Sequence, residues 1–151
     1  MFSCSTDSEK QTLCQPCSAE IVPPGNVPDL WAEVRPLLEP AIDLTGGRMS
    51  ARTVFSGLAL AQYQLWLLRN ETILAAGVTE FRGYPTGLRT LAVLLIGGND
   101  MRDWVHLWSD VEAWAKRQGC TKIEISGRRG WSRMLGWKET TIDMEKDLID
   151  G

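Results

Sequence analysis

The sequence predicts an α+β fold, three layers deep, with a mixed and mostly antiparallel central sheet flanked by helices. Three observations carry this prediction. Apolar stretches at 63–68, 72–82 and 88–96 follow one another with turn residues between them, as antiparallel strands do. A stretch with helical apolar spacing comes next at 103–118, and an alternating stretch at 121–126 after it. Strand, turn, helix and strand over residues 88–126 make a βαβ unit, whose crossover is right-handed.

Residues 1–17 are polar and aperiodic and predict a flexible arm, so the domain is assigned to 18–151. Ser18–Val22 reads as a short first strand, ended by Pro23, Pro24 and Gly25. Val27, Leu30, Trp31, Val34, Leu38 and Ala41 then fall on one helical face, with Asn26 placed to cap the start. Pro36 and Pro40 each remove an amide donor, which predicts a helix kinked or broken in two. Ser50 is placed to cap a second helix, in which Val54, Phe55, Leu58 and Ala61 share a face.

Two strands joined at Arg69, Asn70 and Glu71 form a hairpin, and Gly83 to Gly87 makes the next turn. The strand Leu88–Ile96 is so apolar that both its faces must be covered. Gly97, Gly98, Asn99 and Asp100 read as a turn into the helix. That helix carries Trp104, Leu107, Trp108, Val111, Trp114 and Ala115 as a stripe, which predicts core packing for the tryptophans. Lys116 and Arg117 suit its C-terminal end, and Gly119 supplies the stop. Trp131 to Leu135 predicts a helical turn, and Lys138–Lys146 a closing strand.

Composition narrows the function. The chain has 151 residues, 44% apolar and 23% charged, with a net charge of −3, which is ordinary for one soluble domain. The charge argues against a nucleic-acid partner, and Arg128, Arg129 and Arg133 are too few for a basic face. No apolar run reaches the length of a membrane span, and the start lacks the pattern of a secretory signal, so an intracellular protein is predicted. Cys4, Cys14 and Cys17 crowd the arm, with C-x-x-C spacing between the last two. Zinc takes four ligands, so a metal site would need Cys120, His106 or a partner's residue as well. No special role, a disulfide and a metal staple all stay open.

Residues 113–125 (AWAKRQGCTKIEI), residues 131–137 (WSRMLGW) and the run Met144, Glu145, Lys146, Leu148 resemble stretches of the GNAT N-acetyltransferase superfamily. They look like that family's third helix running into its fifth strand, its short helix, and its final strand. The likeness spans about residues 18–148 and is most like short GNAT-like proteins of tailed bacteriophages and gene-transfer agents. It implies acetyl-CoA as cofactor, entering where the fourth and fifth strands splay apart. It also implies that backbone amides at the third helix's start hold the pyrophosphate, as a helix N-terminus can. In this chain the corresponding cofactor-binding residues are Leu95, Ile96, Gly97, Gly98, Asn99, Met101 and Arg102, with Arg128 and Arg129 after the fifth strand.

The resemblance further implies transfer of an acetyl group to an amine, which needs a base. Glu80 and Glu124 are the catalytic candidates. Departures from the family's pattern favour a second reading. The family's phosphate-loop spacing is absent, Asp100 and Asp103 bring carboxylates to the loop, and no tyrosine lies between Trp137 and Met144. That reading is a non-catalytic assembly protein, most plausibly of a bacteriophage virion, with residues 1–17 meeting a protein partner. Cytoplasm of a bacterium or infected host is the predicted location for the enzyme.

Overall fold

The computed structural model describes residues 18–98, 108–126 and 135–149. Five strands form one sheet in the order of the chain: β1 (Ser18–Val22), β2 (Gln64–Arg69), β3 (Ile73–Gly83), β4 (Arg89–Gly98) and β5 (Lys122–Ile125). The first four pair antiparallel, and β5 joins β4 in parallel. Helices α1 (Val27–Asp43) and α2 (Ala51–Ala59) cover one face, and α3 (Trp108–Arg117) covers the other. This is the predicted α+β architecture, with the βαβ crossover running from β4 through α3 to β5.

The main core lies under α1 and α2, where Val34, Leu38, Val54 and Leu58 meet Leu65, Leu67, Val78 and Leu95. A smaller cluster under α3 joins Leu91, Ala115 and Cys120 to Phe81, Trp114 and Ile123. The tryptophan stripe packs as predicted: Trp114 lies 5.1 Å edge-on to Trp66 and 5.4 Å above the Phe81 ring. Its member Trp104 falls outside the described residues.

Pro36 and Pro40 do not break α1, which runs unbroken through both. They stand four apart on the exposed side of the helix, so the carbonyls they leave without a donor face water. Asn26 makes no side-chain cap; a single 3-10 turn at Pro24–Asn26 leads into the helix instead. Ser50 caps α2 as predicted, its hydroxyl accepting from the Thr53 amide at 3.1 Å while Thr53 accepts from the Ser50 amide. Just past α2, Ala61 holds φ of 61°, a left-handed conformation that costs a side-chain-bearing residue about 1–2 kcal/mol. Ala61→Gly is therefore expected to stabilise the protein by roughly 1 kcal/mol, read as a higher urea midpoint with an unchanged slope.

Two boundaries differ from the sequence reading. Gly97 and Gly98 belong to β4 and not to a turn. A Cβ on Gly97 would overlap the Leu37 carbonyl of α1, and one on Gly98 would lie 2.5 Å from the Ala75 side chain. Their lack of side chains is what lets α1 and β3 close onto β4. The predicted closing strand at 138–146 does not form either: residues 138–149 are exposed and carry no strand pairing.

Candidate active site

The parallel pairing of β5 is short. Its four residues meet Thr90, Leu91, Ala92 and Val93, ending at the pair Val93 and Ile125. β4 continues through Gly98 with no partner on that side among the described residues. Its pairing with β3 slips at the same point, since Thr79 opposes Val93 while Val78 opposes Leu95. Leu94 is thus the extra residue of a β-bulge, a device that bends a strand and ends its pairing. The described ladder between β4 and β5 ends at Val93 and Ile125, and among the described residues the β4 edge over 94–98 has no partner on that side.

Within the paired part of the sheet, next to the end of this ladder, stands a polar cluster. Register places Glu80, Ala92 and Glu124 side by side on the face that carries α1 and α2. With Ala92 buried between them, the two carboxylate-bearing strands are two spacings, roughly 10 Å, apart. Glu124 accepts from the Thr90 hydroxyl at 2.6 Å and from the Tyr84 hydroxyl at 2.8 Å. Glu80 accepts from Arg82 Nε at 3.0 Å. The structure therefore brings both sequence-predicted carboxylates to one face and adds Tyr84, Thr90 and Arg82, which the sequence reading did not pick out.

Each charge in the cluster is tuned by its neighbours. The Thr90 hydroxyl holds the Glu124 carboxyl below the usual range; burial opposes this, and Tyr84, Arg82 and Lys122 reinforce the lowering. Burial works against the Arg82 charge, but the contacts to Glu80 and Tyr84 together with the nearby Glu124 carboxylate leave its pKa raised. At neutral pH Glu124 is a carboxylate with two hydroxyl donors, suited to accept a further N–H. A folded pKa below the unfolded one means that Glu124 stabilises the fold above the unfolded pKa. That contribution is lost as pH falls through the folded value. Thr90→Val is expected to move the Glu124 titration upward, read by carboxyl carbon shifts in NMR; an unmoved midpoint would assign the lowering elsewhere.

Other sequence candidates lie apart from this cluster. Leu95 is 2% exposed and packs under α1, and Ile96 lines the sheet face under α3. Asn99, Met101, Arg102, Arg128, Arg129, Cys4, Cys14 and Cys17 all fall outside the described residues. So does the arm that would meet a partner. Among the described residues no group of His, Cys, Asp or Glu could hold a metal, and no helix is long and apolar enough to cross a membrane. A cavity between the sheet and α3, walled by Trp66, Gly77, Thr79, Val93 and Trp108, holds only about 50 Å³. That is too little for a cofactor.

No protein-family model matches the chain. No curated protein matches either. Solved structures do. A predicted acetyltransferase with acetyl-CoA from Clostridium acetobutylicum superposes with a TM-score of 0.60 at 14% identity, over 88% of this chain and 97% of that one. An aminoglycoside acetyltransferase from an uncultured soil metagenomic sample, in complex with sisomicin, gives 0.65 at 9% identity over the same shares. The aminoglycoside 6'-N-acetyltransferase of Acinetobacter baumannii gives 0.60 at 17%, over 90% of this chain and all of that one.

The fold is that of the GNAT acetyltransferases. At these identities the likeness is one of fold.

Proposed function

We propose that the protein is an acyl-CoA-dependent N-acyltransferase that moves an acetyl group from acetyl-CoA to a primary amine. The observation that carries this reading is the end of the described β4–β5 ladder at Val93 and Ile125, with the Glu124 carboxylate held by Thr90 within that ladder. The solved structures it resembles include one bound to acetyl-CoA. In this reading the cofactor's pantetheine arm lies along the β4 edge over 94–98, and amides there hold its amide carbonyls. Its pyrophosphate meets residues 97–102, with Arg128 and Arg129 as further cations.

The amine approaches from the α1 face, where the Glu124 carboxylate accepts its N–H. Glu124, or Glu80 through a water, takes the proton as nitrogen attacks the thioester carbon. The carbon–sulfur bond then breaks, and the thiolate leaves and is protonated to give free CoA. Tyr84, bonded to Glu124, orients that carboxylate.

The alternative virion or assembly role has no described residue in its favour, since its arm lies outside them. Calorimetric titration with acetyl-CoA tests the choice. Micromolar binding supports the enzyme; no heat at high micromolar cofactor overturns it.

A further inference from the structure

We propose that the cavity between the sheet and α3 receives the acetyl group of acetyl-CoA, and that the Trp108 indole N–H donates to its carbonyl oxygen. Trp108 is the first described residue of α3 and is only 8% exposed. Its Nε1 is buried and has no hydrogen-bond partner among the described residues. Buried polar groups are nearly always paired, so an unpaired donor calls for a reason. The contrast with Trp66 on the same cavity is direct. Its Nε1 donates to the Thr79 hydroxyl at 3.0 Å, and that hydroxyl donates in turn to Gln64 Oε1 at 2.9 Å.

The cavity's chemistry selects the ligand. Beside Trp108 its walls include Gly77, Val93, Ile96 and Val111, which offer only hydrocarbon side chains or none. Thr79 is already engaged as donor and acceptor, so the indole N–H is the open side-chain donor among the described walls. A buried water needs two to four polar partners and is poorly served there. A small group with one acceptor oxygen and a methyl is well served. The volume of about 50 Å³ is less than twice a water's ~30 Å³ share of the liquid. That is room for a carbonyl and a methyl, and not for a long acyl chain.

This inference rests on the acyltransferase reading and deepens it. In that reading the pantetheine arm lies along β4 over 94–98, and Val93 and Ile96 set the cavity against the same stretch of strand. Glu124 stands on the face that carries α1 and α2, whereas Trp108 lies on the α3 face. Base and donor therefore meet the thioester from opposite sides of the sheet. As the amine nitrogen bonds the carbonyl carbon, the C=O π pair moves onto oxygen, and the indole N–H holds that negative charge. The pair returns when the carbon–sulfur bond breaks and the thiolate leaves.

Indole N–H resonances of the full chain, assigned by triple-resonance NMR and followed during titration with acetyl-CoA and with CoA, test this without an acceptor amine. Acetyl-CoA is expected to move the Trp108 indole proton downfield, and CoA, which lacks the acetyl carbonyl, to leave it in place. Trp108→Phe is expected to weaken acetyl-CoA binding by roughly 2- to 10-fold, the worth of one hydrogen bond, and to leave CoA binding unchanged. Unchanged CoA binding also shows that the variant is folded. If it does not fold, the wild-type shifts alone decide. Calorimetric binding of acetyl-CoA with no Trp108 shift, or with the same shift for CoA, overturns the assignment and leaves the acyltransferase reading standing. No binding of either compound overturns both.

Discussion

In the proposed reaction, Glu124→Gln is expected to lower kcat/KM for acetyl transfer by roughly 10²- to 10⁴-fold, the span that a positioned base contributes. The amide still accepts from Thr90 and Tyr84, whose hydroxyls lie 2.6 and 2.8 Å from the carboxylate, so the fold should hold. What the substitution removes is the charge proposed to receive the amine's proton. A rate measured by thiol release from acetyl-CoA, with thermal stability measured alongside, separates chemistry from folding. An unchanged rate would move the base to Glu80, which shares the face across Ala92. In that case Glu80→Gln should carry the loss instead.

Gly97→Val destabilises the protein by at least about 3 kcal/mol, or prevents folding altogether. A Cβ at that position would run into the Leu37 carbonyl, and backbone cannot rotate aside as a side chain can. The cost is borne by the α1–β4 contact, where Leu38 and Leu95 anchor the main core. Gly25→Ala is the control: nothing lies within 4 Å of its added methyl, and its stability should change by less than about 1 kcal/mol. If Gly97 served only to admit a phosphate, the valine variant would keep its stability and lose only cofactor binding. Urea unfolding of the two variants decides.

The fold was legible because its signals are local. Three apolar strands in succession, the Ser50 cap, the Gly119 stop and the alternation of Ile123 and Ile125 each state an element's type without tertiary context. Errors arose where context decides. Pro36 and Pro40 share α1's solvent side, and no sequence pattern says that water will satisfy the freed carbonyls. Gly97 and Gly98 look like a turn on composition, yet serve close packing. The closing strand expected at 138–146 does not form, since a strand needs a neighbour that no stretch of sequence supplies by itself.

The candidate site was half legible. Glu80 and Glu124 could be named as carboxylates on strands near a βαβ cleft, but their alignment through Ala92 rests on pairing register. Register between parallel strands is set by the crossover and not by either strand alone. Tyr84 and Thr90 were missed for the same reason. The one available signal was that Tyr84 sits in the turn feeding β4, which places it near that strand's start. The bulge at Leu94 left no mark in a uniformly apolar run.

The central proposal is that the β4 edge over 94–98, without a partner on its β5 side among the described residues, receives the cofactor. Amide hydrogen exchange with and without acetyl-CoA tests it most directly. Slowed exchange at 94–98, with β1 and β2 unchanged, is the predicted result. Uniform exchange at 94–98 in the presence of saturating cofactor would contradict it and leave that edge as a feature of the fold alone.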